Sequence, residues 1–199
     1  INLDHGAKYE HAIAAIQAGF TSIMVDRSTL PYEENVAEVA ELVKVAHAVG
    51  VSVEAELGHV GQGLQYSVDR DAALTDPAQA KDYCEKTGID MLAVAIGTAH
   101  GEYKGTPYLD FDRLHQIFDA VKVPLVLHGG SGTGDENLAK ATREGISKVN
   151  LATDLYKAGA AAVIEEEPNH GMQMYELLAE GYKAKLVHYM KLFNQCNRV

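Results

Sequence analysis

The sequence predicts an α/β fold, a (β/α)8 TIM barrel lacking its first two βα units in this chain, and three observations predict it. Short Val- and Ile-rich runs alternate with amphipathic stretches, which implies βαβ crossovers and a parallel sheet. A single Gly recurs where a helical stretch ends and the next run begins, at Gly19, Gly50, Gly88 and Gly145. Polar residues stand at or near the C-terminal ends of the runs: Asp4-His5, Asp26, Glu56, His100, His128 and Asn150. In a barrel such ends converge on one face, the usual place for chemistry. An open doubly wound sheet would spread them along a line, where they could not share one ligand.

Taken in order, residues 1–4 open the chain without Met and read as the inside of a buried strand. The expectation is that an N-terminal part of the protein lies outside this chain. Residues 9–18 carry Ala and Ile at helical spacing, and the second run is 22–26. Residues 31–49 begin with a Pro and acidic residues, as a helix N-terminus should. The third run is 51–57, and helix 77–86 follows Thr75-Asp76, a plausible cap. Runs 91–96, 124–127 and 148–152 then alternate with helical stretches 112–121, 135–143 and 153–166, and a long last helix spans 173–194. Alternation within most runs is weak, which suits strands buried on both faces. The junction glycines fit because the residue after a helix often needs φ > 0. The count is six units, whereas a closed barrel needs eight and typically about 250 residues.

The chain has 199 residues, 47% of them hydrophobic, enough to bury a sizeable core in one domain over residues 1–199. Net charge is −11 and no Lys/Arg run stands out, which argues against nucleic-acid or acidic-membrane partners. A phosphorylated substrate stays compatible, because a backbone nest or a metal holds phosphate on an acidic protein. Cys84 and Cys196 form no framework and read as incidental thiols of a reducing compartment. No apolar run is long enough to span a bilayer, so the expected location is cytoplasmic.

Three of the nine histidines follow strands and are each trailed by Gly: His5, His100 and His128. One such His is ordinarily a core or loop residue with a satisfied hydrogen bond. Three at equivalent places in a barrel suit a catalytic zinc with an open fourth position. His11, His47, His115 and His188 lie on helical stretches as surface or packing residues, and His59 and His170 lie in loops. Glu54 and Glu56 point to the same face of a strand. Two inward carboxylates are costly unless they meet a cation or hydrogen bonds, or are solvated at the strand end. Asp26 is a further ligand or orients one. His128-Gly129-Gly130-Ser131-Gly132 lies between a strand and a helix, where successive N–H groups make an anion site. Gly97 to Lys104 repeats that logic, with Lys104 a phosphate contact or a plain surface lysine.

Asp4-His5-Gly6, Val53-Glu54-Ala55-Glu56-Leu57-Gly58, Ala95-Ile96-Gly97-Thr98-Ala99-His100-Gly101, Leu127-His128-Gly129-Gly130-Ser131-Gly132 and Val149-Asn150-Leu151-Ala152-Thr153 resemble the signature segments of class II, zinc-dependent ketose-bisphosphate aldolases. Bacterial fructose- and tagatose-bisphosphate aldolases are the nearest subgroup, and the resemblance runs through essentially the whole chain. It implies zinc held by His5, His100 and His128, with Glu56 and Asp26 at positions tied to alternative or second metal sites, the second cation divalent or monovalent. It implies Asp4 as the proton-transfer residue at the aldehyde oxygen. Gly101, Gly129, Gly130 and Ser131 would hold the dihydroxyacetone phosphate moiety, Asn150, Leu151, Ala152 and Thr153 would complete that site, and Lys104 would assist. The implied reaction is reversible cleavage of a ketose 1,6-bisphosphate to dihydroxyacetone phosphate and glyceraldehyde 3-phosphate through a zinc-stabilised enediolate. Family habit implies a homodimer or homotetramer.

Three departures accompany the resemblance. Asn2 stands where the family usually has His. The family chain begins about 80 residues earlier, the length of two βα units. The run Gly61-Gln62-Gly63-Leu64-Gln65-Tyr66 lacks the acidic residue thought to act as base, leaving Asp69 or Asp71 as substitutes. Two other readings therefore stand beside the aldolase: a relative acting on another ketose phosphate, and a metal- and phosphate-binding relative without turnover.

Overall fold

Strands and helices alternate in the computed structural model, which describes residues 1–61, 73–103, 105 and 107–197. The order is β1 (Asn2–Gly6), α1 (Tyr9–Gln17), β2 (Ser22–Val25), α2 (Tyr32–His47), β3 (Ser52–Leu57), α3 (Pro77–Thr87), β4 (Met91–Val94), α4 (Phe111–Ala120), β5 (Leu125–Leu127), α5 (Asp135–Arg143), β6 (Ile146–Val149), α6 (Thr153–Glu166) and α7 (Gly171–Leu192). Local chemistry explains several boundaries. Asp76 caps α3 by accepting from the N–H groups of Ala78 and Gln79, with Pro77 at the first helical position. The junction glycines Gly19, Gly50, Gly88 and Gly145 all have positive φ, between 71° and 132°.

Six strands form one parallel sheet in the order β1-β2-β3-β4-β5-β6. A doubly wound sheet reverses its strand order at a switch point, and this one does not. The sheet is also curled. Neighbouring strands lie about 4.8 Å apart, so β1 and β5 would be about 19 Å apart if flat. Yet His5 Nε2, on β1, lies 2.9 Å from Nδ1 of His128, just after β5. Asp4 and Asn150 span β1 and the end of β6 and meet at 3.0 Å. The architecture is thus a six-stranded, singly wound partial barrel with helices outside.

Curling creates two cores. The larger packs the outward faces of β2–β5 on the helices, through residues such as Ile23, Val53, Ala55, Leu92, Leu125 and Leu127. The smaller lies inside the curl and, among the described residues, holds Met24, Ala93 and Val126, with Met91 against it. Register places Met24 beside Glu54 and Ala93 beside both Glu56 and Val126. The inward layer therefore ends in polar residues toward one face.

Some boundaries depart from the sequence reading. β6 is Ile146–Val149 rather than 148–152, because it starts directly after Gly145 and its chain turns away at Asn150, whose carbonyl accepts from Gly130. β2 and β4 stop at Val25 and Val94, before the residues expected to end them. β1 and β6 are only partly buried, as edge strands, so burial on both faces holds for β2 to β5 alone.

Candidate functional site

The polar strand ends meet as expected. His5, His100 and His128 each offer a nitrogen within 4.8 Å of the others, and so do His5, Asp26 and Glu56 with one ligand atom apiece. The His5 ring lies edge-on to His100 and His128, at 4.7 and 4.6 Å between centroids. His5 has φ +49°, an uncommon conformation for a residue with a Cβ. Its N–H points at Met24 Sδ, and Arg27 donates to the next carbonyl, at Gly6, which holds this turn in place. Gly129 is dictated by close approach: it has φ +66°, and a Cβ there would meet the Ala99 carbonyl oxygen at 2.3 Å.

Hydrogen bonding leaves the cluster short of protons. His5 Nδ1 lies 2.7 Å from Asp26 Oδ2, and His128 Nε2 lies 2.8 Å from Glu54 Oε1. Ionised carboxylates only accept, so both imidazoles spend their N–H outward. The nitrogens left over, His5 Nε2 and His128 Nδ1, face each other at 2.9 Å. If both rings are neutral, two lone pairs face each other there, an arrangement that a bound cation or a proton on His5 relieves. Among the described residues, His100 Nε2 and Glu56 Oε2 are buried without a hydrogen-bond partner.

The electrostatics agree. The hydrogen bond to Asp26 raises the His5 pKa, against the effect of burial. Burial works against charge on Asp26, yet hydrogen bonds from His5 and Ser28 hold its carboxyl well below the usual range. Burial, then the charge of Asp26, pushes Glu56 up to about 7. Burial, then the positive charge of the other two histidines, pushes His100 down to about 4, so it stays a neutral donor. Perturbation of this kind marks functional sites.

Beside the cluster lies a cavity of about 340 Å³ lined by Gly101, Tyr103, Gly132, Thr153, Asp154 and Lys157 among others. It sits at the N-terminus of α6, where the N–H groups of Ala152, Asp154, Leu155 and Tyr156 are already taken by Ser131 Oγ and the Ala152 carbonyl, and Glu102 and Asp154 bring carboxylates into its lining. Several expected donors are already engaged. Gly130 N–H donates to the Asn150 carbonyl, and Ser131 Oγ accepts from Ala152 and Asp154. Gly130, Asn150 and Leu151 instead pack closely, since a Cβ at Gly130 would lie 3.0 Å from both the Asn150 oxygen and Leu151 Cδ2.

Asp4 is exposed and accepts from Asn150 Nδ2 at 3.0 Å, with His5 Nε2 at 4.0 Å. Lys104, Asp69, Asp71 and the run 62–66 lie outside the described residues. Glu54 and Glu56 are buried and hydrogen-bonded, which overturns their reading as a solvated strand end. His47, His115 and His188 sit on the surface, each with Nε2 within 3.0 Å of a carboxylate oxygen, of Asp90, Glu144 and Asp135 respectively. His59 contacts Ser28, and His170 caps α7.

Sequence reasoning gave no role to Lys148, Lys157, Tyr103 or Asp154. Lys148 Nζ lies 2.7 Å from Glu54 Oε2, and Tyr103 OH ties Ala99 to Gly129. The period of two on β6 puts Lys148 on the same face as Asn150, and that signal could have found it.

Three comparisons bear on this geometry. The family model described as fructose-bisphosphate aldolase class-II matches residues 1–198. A fructose-bisphosphate aldolase of Geobacillus stearothermophilus is 46% identical over 172 residues, covering 85% of this chain and 60% of its own. The chain thus spans 60% of the length of that curated relative. Among solved structures, the YdjI aldolase of Escherichia coli K12 has a TM-score of 0.85 at 38% identity, covering 96% of this chain and 68% of its own. A putative fructose-1,6-biphosphate aldolase of Coccidioides immitis has a TM-score of 0.88 at 30% identity, covering 99% and 71%.

Proposed function

Because this chain belongs to the class II fructose-bisphosphate aldolase family, we propose that it forms the metal- and phosphate-binding part of an aldolase acting on a ketose 1,6-bisphosphate. The observation that carries this is the cluster of His5, His100 and His128, whose nitrogens converge within 4.8 Å of one another. Three imidazoles and a buried orphan nitrogen fit a zinc ion better than a hard, oxygen-seeking cation. His5, His100 and His128 would hold it, with Asp26 and Glu56 as a second, oxygen-rich position. When bound, zinc supplies Lewis-acid polarisation of a substrate carbonyl.

The chain's own residues do the rest. Gly101 and Thr153, with Gly129, Gly130 and Ser131 shaping the loop and Asn150 to Ala152 beside it, bind and orient a phosphate, while the Gly132 N–H is spent on Asp154 Oδ2. Lys157 lines that cavity in an ion pair with Glu102, which an incoming phosphate would have to displace. Asp4, steadied by Asn150, moves a proton to or from the oxygen of the departing or arriving aldehyde. The six strands are read as part of an eight-stranded barrel. The protein is read as a cytoplasmic homodimer or homotetramer.

The test is aldol cleavage of fructose 1,6-bisphosphate and tagatose 1,6-bisphosphate by the full-length protein. The reading expects cleavage of one or both, and the preferred sugar settles the substrate. Folded, zinc-loaded protein that cleaves neither overturns it.

A further inference from the structure

Glu54 stands apart from the residues that the proposed reaction uses. It is fully buried on β3, its side chain directed into the curl. Its two oxygens are divided between two partners: Oε1 lies 2.8 Å from His128 Nε2 and Oε2 lies 2.7 Å from Lys148 Nζ. His128 is also fully buried, so its contact with Glu54 is closed to solvent, whereas Lys148 is a third exposed. The three residues come from β3, the end of β5, and β6.

A neutral imidazole carries one N–H, and its neighbours decide which nitrogen has it. Asn150 Nδ2 lies 3.3 Å from Nδ1 and 3.2 Å from Nε2, so it does not discriminate. His5 Nε2 reaches Nδ1 alone but can either donate or accept. Glu54 reaches Nε2 alone, and as a lysine-paired carboxylate it can only accept. With the proton on Nδ1, the Nε2 lone pair would face the Glu54 carboxylate between two side chains buried from solvent, which is the costly arrangement.

We propose that Glu54, braced by Lys148, holds the His128 proton on Nε2 and so presents the Nδ1 lone pair to the three-histidine cluster. Glu54 is then a positioning residue for the cation site, and Lys148 positions Glu54. The inference rests on the metal-site reading above and goes beyond it, since it names the nitrogen that His128 uses and what selects it.

The experiment uses full-length protein with 15N-labelled histidine, freed of metal by chelation. The His128 signals are identified by their loss in His128→Asn. The expected spectrum places the His128 proton on Nε2, and a proton on Nδ1 in the wild type overturns the inference. Zinc affinity is then measured by chelator competition. Removal of an outer partner of a metal-ligating His typically costs 10–100-fold, and that loss is expected for Glu54→Gln, with Lys148→Met changing in the same direction. A folded Glu54→Gln protein with wild-type affinity and an unchanged tautomer also overturns it. If that variant does not fold, the wild-type spectrum decides. Wild-type protein that binds no zinc overturns the metal-site reading instead, while the metal-free spectrum still decides the role of Glu54.

Discussion

Asp4 and Cys84 show how much a side chain's surroundings decide. Asp4 sits at the rim, held by Asn150, with solvent on its other side. General acid–base catalysis by a placed carboxyl is worth about 10²–10⁴-fold, so Asp4→Asn should lower kcat by that order with zinc content unchanged. Steady-state kinetics with metal analysis checks this, and an unchanged kcat removes Asp4 from the proton-transfer role. Cys84 is half-buried, and burial pushes its thiol up to about 11, whereas Cys196 is exposed. The thiolate is the reactive form, so at pH 8 Cys84 should react with a thiol reagent far more slowly than Cys196, and faster as pH rises. Rates for Cys84→Ser and Cys196→Ser decide it: the fast phase should vanish only in the latter. The three histidines were legible because each ends a strand and precedes a Gly. The division of labour between Glu54 and Glu56 was not, because the sequence shows two carboxylates on one face but not which inward partners they meet.

At the scale of elements, the β4 and β5 loops are held together by backbone contact. Gly129→Ala would drive a Cβ into the Ala99 carbonyl at a positive φ, and overpacking of this kind typically costs about 1–3 kcal/mol. Gly88 also has positive φ, in the left-handed helical region, but an added Cβ would meet only Val43 Cγ1 at an ordinary 3.8 Å, so Gly88→Ala should cost less, about 1 kcal/mol from backbone strain alone. Urea unfolding of both variants measures the difference, and equal effects would contradict the close approach. Asp76→Ala should cost about 1 kcal/mol through the lost α3 cap. Helix boundaries were readable from such caps and from the junction glycines. The end of β6 was not, because its apolar run continues into Leu151 while the chain itself turns to meet Gly130.

At the scale of the molecule, sequential strand order plus curl brings residues as far apart as Asp4 and Asn150 within 3.0 Å. Alternation of strands and helices made the parallel sheet predictable. The curl followed only from requiring the strand ends to share one site, an argument from chemistry rather than from propensity. No helix among the described residues is long and apolar enough to cross a membrane. What unites the scales is a cluster in which Asp26 and Glu54 hydrogen-bond one nitrogen of each of two histidines, which leaves the other nitrogens for the proposed cation. The direct measurement is aldol cleavage of the preferred ketose bisphosphate by full-length protein, before chelation, after exhaustive chelation, and after zinc is restored. The account predicts activity that disappears with the metal and returns with stoichiometric zinc. Cleavage that persists in protein shown to be free of metal would contradict it.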